Sequence, residues 1–209
     1  MKLQLALDDV TFEDAMELLE KVNTYVDIVE VGSPFIIARG MEPVRRIREK
    51  YPQLEVLADT KIMDAGEYEA EETFLAGADY CTVLGVTDIL TIKGCLKAAK
   101  KYGKRVMVDM ICVENVPERV AEIETAGVNF IGVHVGVDQQ AAGITPLGKL
   151  AELKKCVKYS EISVAGGIRL ETIEAYKKLA PDVVIVGSGI THAEDPAAAA
   201  RSLYEAVHD

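Results

Sequence analysis

The chain has 209 residues, 49% of them apolar, no tryptophan, three histidines and a net charge of -11. That length can bury a substantial core, and no apolar run reaches the roughly 18 residues that would argue for a membrane span. The acidic balance, with no basic stripe or aromatic-basic platform to offset it, argues against broad binding to nucleic acid or anionic membrane.

From Met1-Lys2-Leu3-Gln4-Leu5-Ala6-Leu7-Asp8 onward, short apolar runs alternate with amphipathic stretches. The opening lacks the basic, apolar and small-residue regions of a signal peptide, so a cytoplasmic protein is expected. The pattern predicts strands over residues 3–8, 26–31, 55–60, 79–84, 105–110, 129–134, 161–165 and 182–187. Helices are expected over 12–23, 35–50, 66–76, 89–102, 117–125, 146–159, 170–179 and 196–207. Asp195-Pro196 reads as an N-cap followed by a first-turn proline, and Ser33-Pro34 offers the same arrangement after the second strand. Gly77, Gly103 and Gly127 each follow a helical pattern and suit its left-handed end.

Eight strand-helix units without an intervening linker imply a parallel sheet with right-handed crossovers in one domain. A single (β/α)8 TIM barrel, with its chemistry at the C-terminal ends of the strands, is the expected fold. An open doubly wound sheet is the alternative, but no Gly-x-Gly-x-x-Gly follows the first strand. Side chains alternate along a strand, so a barrel would turn Gln4, Ala6 and Asp8 inward and Leu3, Leu5 and Leu7 toward the helices.

Charge gathers where these strands end. Asp59-Thr60-Lys61-Ile62-Met63-Asp64 follows the apolar run 54–58, and such a cluster is costly to desolvate unless paired within itself or with a metal, substrate or partner. Asp8, Glu30, Asp59 with Lys61, Asp109 and His134 all fall at strand ends, so a barrel gathers them on one rim. Singly, each reads equally as a cap or turn residue. Gly166-Gly167 and Gly187-Ser188 follow the seventh and eighth strands, where barrels frequently bind phosphate through backbone N–H groups.

Cys81, Cys95, Cys112 and Cys156 form no Cys-x-x-Cys pair and read as buried free thiols. His134, His192 and His208 are too few for a multi-histidine zinc centre, which leaves open a hard cation held by carboxylates. His192 reads as a surface loop residue and His208 as a solvated tail residue.

The D-x-K-x-x-D run, with Asp8, Glu30 in Val29-Glu30-Val31-Gly32, His134 and both glycine loops, resembles the orotidine 5′-phosphate decarboxylase suprafamily over essentially the whole chain. Within it, the 3-hexulose-6-phosphate synthases are the most similar branch, on Leu57-Ala58-Asp59-Thr60-Lys61, Thr82-Val83-Leu84-Gly85-Val86, Val108-Asp109-Met110-Ile111 and Val164-Ala165-Gly166-Gly167-Ile168. The neighbouring 3-keto-L-gulonate-6-phosphate decarboxylases would carry Glu at Asp109, an arginine in the loop after His134 and an arginine at Ser188.

The resemblance implies an aldolase that joins formaldehyde to ribulose 5-phosphate through an enediolate. It further implies Mg²⁺ on Glu30 and Asp59, His134 in proton transfer, Lys61 beside the developing oxyanion, and Asp8 and Asp64 around Lys61 and the sugar hydroxyls. Asp109 would contact substrate or water. Asp64 would reach a neighbouring subunit's site, which makes a homodimer the expected assembly. A decarboxylase, a phosphosugar isomerase and a non-catalytic phosphosugar-binding protein are the other readings. A Schiff-base role for Lys61 is opposed by its two flanking carboxylates, which hold the ammonium charged.

Overall fold

The computed structural model describes residues 1–209, apart from the side chain of Val137. In chain order the elements are β1 (Lys2–Leu7), α1 (Phe12–Val22), β2 (Ile28–Val31), α2 (Ser33–Arg39), α3 (Glu42–Lys50), β3 (Glu55–Ile62), α4 (Gly66–Leu75), β4 (Tyr80–Leu84), α5 (Ile89–Tyr102) and β5 (Arg105–Asp109). They continue with α6 (Val116–Thr125), β6 (Phe130–His134), α7 (Val137–Ala141), α8 (Pro146–Leu153), β7 (Glu161–Ala165), α9 (Ile173–Lys177), β8 (Val183–Val186), α10 (Ser188–Thr191) and α11 (Pro196–His208). All eight strands pair in parallel in sequence order, and β8 closes on β1 through Lys2↔Val183 to Leu5↔Val186. The fold is a (β/α)8 barrel. No helix among the described residues is long and apolar enough to cross a membrane.

Strand parity divides the core as the alternation predicts. Leu3, Leu5 and Leu7 pack outward with Leu18, Leu19 and Val22 of α1, while Ala6 joins Ile28, Leu57, Tyr80, Met107, Phe130, Val183 and Ile185 in a separate interior cluster. Those interior positions fill the barrel beneath a cavity that Ala6, Met107 and Ile185 help to line. Further along the same inward rows stand Asp8, Glu30, Asp59 and Asp109, one step on, and His134, two steps on, so the periodicity that builds the core also aims the polar groups.

Local chemistry sets most helix ends. Thr11, Asp88 and Asp195 cap α1, α5 and α11 by accepting from the amides of Asp14, Leu90 and Ala198. Gly77, Gly103 and Gly127 all take positive φ past helix ends, as expected. The single helix expected over 35–50 is instead two, because Gly40 turns the chain at φ 60 and Pro43 restarts it in α3. Ser33 also departs from its expected place as N-cap: Gly32 is the cap and Ser33 lies inside α2. Its hydroxyl goes to Asp59 instead, a partner that no local pattern contains.

The lower rim is tied by carboxylates. Asp27, Asp79 and Asp182 stand just before β2, β4 and β8, and accept the amides of Leu3, Val56 and Ile162 on the preceding odd-numbered strands, at 2.8, 2.9 and 2.7 Å. Arg48 and Lys104 both pair with Asp79. Buried Glu124, near the end of α6, accepts the amides of Lys158, Tyr159 and Ser160 and the Ser160 hydroxyl, fixing the entry to β7.

All four cysteines are free, with Cys81 and Cys95 buried as expected. Cys112 departs from that expectation, being exposed in the turn after β5. His208 is exposed at the end of α11, as expected, and there it stacks on Tyr204 at 3.9 Å and lies 3.4 Å from Asp27.

Candidate active site

A cavity of about 610 Å³ opens at the C-terminal ends of the strands. Asp8, Glu30, Asp59, Lys61, Asp109, His134, Gly166, Gly167, Gly187 and Ser188 all line it. Asp64 does not. It is exposed, and its carboxylate accepts the amide of Ala65 at 2.7 Å.

Asp59 is the hub of the acidic end. Its Oδ1 accepts from the Thr82 hydroxyl at 2.7 Å, and its Oδ2 from Ser33 at 2.9 Å and from the Lys61 ammonium. Lys61 also lies 3.9 Å from Asp109. Burial opposes the charge on Lys61, but Asp59, Asp109 and Glu30 together outweigh it and hold its pKa above the ordinary value. An amine held this firmly protonated is a poor nucleophile and a good electrostatic partner for an anion.

Lys61 gets there by a backbone device. The β3–β4 pairing jumps from Ala58↔Cys81 to Ile62↔Val83, so three residues of β3 oppose Thr82 alone. Within this bulge Lys61 takes φ 48, a left-handed conformation that costs a non-glycine residue roughly 1–3 kcal/mol. The strand expected to end at residue 60 thus runs on irregularly to Ile62, and the Lys61 side chain enters the cavity.

Across from it, His134 Nδ1 lies 2.9 Å from Asp109 Oδ2. Asp109 Oδ1 accepts the Ile111 amide at 2.9 Å, and an ionised carboxylate only accepts, so Nδ1 carries the proton and Nε2 is left free. Burial lowers the imidazole pKa, but the hydrogen bond and charge of Asp109 more than restore it, so the net shift is upward. The pairing gives Asp109 a definite task where the sequence offered only contact with substrate or water.

Glu30 is buried and receives Gln4 Nε2 on Oε2 at 2.5 Å. Burial first, then the charges of Asp59 and Asp8, push its carboxyl well above the ordinary range. Asp8 is raised for the same reasons, burial leading and Asp59 second. Asp8, Glu30, Asp59 and Asp109 thus share the field of one ammonium, that of Lys61. Gly32 permits this crowding, since a Cβ there would sit 1.9 Å from Asp8 Oδ1.

The donor set suits a hard divalent cation. Glu30 and Asp59 offer carboxylate oxygens, and among the described residues no group of three or more His, Cys, Asp and Glu side chains is arranged to hold a metal. A cation here would therefore take its remaining ligands from water or substrate, as Mg²⁺ commonly does.

The opposite end is backbone-lined. Gly166 and Gly167 have φ 120 and 64, and Gly187 begins the turn into α10. A Cβ on Gly166 would meet the Val135 carbonyl at 2.8 Å, and the positive φ of both residues strains any side chain, so glycine keeps this wall open. Arg169 lines the same end, a residue the sequence reading passed over. His192 is exposed and pairs with Asp9 at 3.0 Å near the mouth.

Fold and rim together define a (β/α)8 barrel that carries titratable groups at the ends of its first, second, third, fifth and sixth strands and a glycine-lined wall over its last two. The chain belongs to the orotidine 5′-phosphate decarboxylase / HUMPS family, whose model matches residues 1–203. Among its relatives, 3-hexulose-6-phosphate synthase of Bacillus subtilis (strain 168) is 47% identical over 99% of both chains. The enzyme of the same name from Staphylococcus epidermidis is 44% identical over the same shares. The crystal structure of 3-hexulose-6-phosphate synthase from Salmonella typhimurium matches with TM-score 0.98 and 54% identity, covering 100% of this chain and 99% of that one. A 3-keto-L-gulonate-6-phosphate decarboxylase from Vibrio cholerae matches with TM-score 0.86 and 28% identity, covering 99% and 97%.

Proposed function

We propose that the protein catalyses the reversible aldol condensation of formaldehyde with D-ribulose 5-phosphate, the reaction of 3-hexulose-6-phosphate synthases. The observation that carries this reading is the gathering of His134 and Lys61 about one Asp109 oxygen, at 2.9 and 3.9 Å, with Lys61 also tied to Asp59, in one cavity that a glycine wall also lines. Full-length relatives of that name at 44 and 47% identity support it.

The substrate phosphate would lie against Gly166, Gly167, Gly187 and Ser188, with Arg169 near enough to add charge. Glu30 and Asp59 would hold Mg²⁺, which when bound polarises the sugar carbonyl and stabilises the enediolate. His134 Nε2 would take the proton from C1. Lys61 would stand beside the oxyanion so formed, its ammonium oriented by Asp59. Asp8 would accept from a sugar hydroxyl. The enediolate carbon then bonds to formaldehyde, and the proton on His134 returns to the new alkoxide, which leaves the residue ready for another cycle.

Asp64 would serve a second copy of the chain. Met63 next to it in the chain, Tyr68 in α4 and Leu90 in α5 are exposed apolar residues that a homodimer would cover, each protomer then completing its partner's cavity.

The decisive assay follows formaldehyde consumption with ribulose 5-phosphate by metal-stripped protein, before and after Mg²⁺ is added. Turnover that needs the cation and vanishes in folded Glu30→Gln supports the proposal. Carbon dioxide release from 3-keto-L-gulonate 6-phosphate as the dominant activity overturns it in favour of the decarboxylase.

A further inference from the structure

We infer that Thr82 is the positioning residue that sets the height and direction of Lys61, and hence the catalytic competence of the reaction proposed above. Residue 82 is fully buried in β4 and does not line the cavity. It alone faces the three-residue bulge of Asp59, Thr60 and Lys61, and it bonds to each of them. Its hydroxyl donates to Asp59 Oδ1 at 2.7 Å and accepts the Lys61 amide at 2.8 Å, while its carbonyl accepts the Thr60 hydroxyl at 2.9 Å.

These bonds replace the regular ladder where the pairing skips. In an unbroken register Lys61 would stand opposite Leu84. The bulge places it level with Thr82, two residues lower, or about 6.6 Å at the usual rise of a parallel strand. That descent, together with the left-handed turn at Lys61, returns the ammonium to Asp59. A hydroxyl has one proton to give and lone pairs to accept with, so a single side chain satisfies a carboxylate oxygen and a backbone amide at once. Valine has the same shape and can do neither. Serine can do both.

The test compares Thr82→Val with Thr82→Ser by two independent readouts, amide hydrogen exchange and the kinetics of formaldehyde consumption. The expected valine variant loses protection at the Lys61 amide while Leu57 and Cys81, in the regular part of the ladder, keep theirs. Its kcat should fall about 10–100-fold, the usual range for an outer residue that orients a reacting one, with KM for ribulose 5-phosphate within about threefold of wild type. The serine variant should resemble wild type in both. Unchanged protection at Lys61, unchanged kcat in the valine variant, or a serine variant as impaired as valine overturns the inference. If the valine variant does not fold, Thr82→Cys, a weak donor and acceptor, decides on the same readouts. Wild-type protein that turns over neither substrate would refute the proposed function only, and the exchange pattern would then decide the role of Thr82 by itself.

Discussion

Asp59 and Asp79 mark the two ends of the barrel, and the contrast between them separates scaffold from chemistry. Asp79 on the lower rim meets two cations, Arg48 and Lys104, and the amide of Val56, so its charge is balanced by fixed neighbours. Asp59 on the upper rim shares Lys61 with Asp109, and its field reaches Glu30 and Asp8 as further negative charge. Both carboxylates organise strands, but Asp79 has two cations to itself while Asp59 shares one with other acids. Sharing of that kind is costly in a buried place and persists where a cation or substrate is to be received.

The sharpest way to break this contrast is to remove the upper cation. Lys61→Ala should lower kcat/KM by at least about 10²–10³-fold, the usual loss when one preorganised partner of a developing oxyanion is removed, while circular dichroism still reports the folded barrel. A variant that kept its activity would show that the cluster is structural, like its counterpart below.

Asp109→Asn should cost about 10–100-fold in kcat and also move the pH profile. The raised pKa of His134 means that activity is lost as pH falls through a value above the ordinary 6.5. Without the carboxylate, that acid limb should shift to lower pH. A limb that stays in place would remove His134 from the proton-transfer role.

On the lower rim the outcome should invert. Glu124→Ala strands three amides and a hydroxyl and should cost about 2–3 kcal/mol in chemical denaturation, with kcat and KM unchanged. Burial works against the Glu124 charge, but Ser160 and the amides of residues 158–160 outweigh it and hold the pKa below the ordinary carboxylate value. The gap between wild type and Glu124→Gln should therefore persist above about pH 4.5, the ordinary value, and close as pH falls through the lowered one. The smallest effect belongs to Asp182→Ala, about 1 kcal/mol of stability with no kinetic change.

The barrel and the inward rows of polar residues were legible in the sequence because both follow from a period of two, which β1 displays within eight residues. Asp8, Glu30, Asp59, Asp109 and His134 fall on those rows without reference to anything distant. What stayed hidden depends on partners far along the chain. Ser33 looked like a helix cap because its neighbours are cap-like, yet its hydroxyl goes to Asp59, 26 residues on. The pairing of Asp109 with His134 and the grip of Thr82 on the β3 bulge span 25 and 21 to 23 residues. Lys61 in a left-handed conformation has no local signature, since lysine is not a residue that favours it. The short α7 and α10 were missed for lack of length to show a period.

The closure of β8 on β1 bears on how the chain becomes active as it folds. The lower-rim ties of Asp27, Asp79 and Asp182 join residues only 24, 23 and 20 positions apart, so each can form while its own β-helix-β segment is assembling. The β1–β8 seam joins Lys2 to Val183 and must await nearly the whole chain, the slowest kind of contact to make. Asp8 leaves the upper end of β1 and Gly187 the upper end of β8, close enough that a Cβ on Gly187 would lie 3.7 Å from Asp8 Oδ2. The last seam to be sewn is thus the one that joins the acidic end of the cavity to its glycine wall. A refolding chain should recover most of its helical signal before it recovers any turnover, because the catalytic pocket comes into existence only with the final strand.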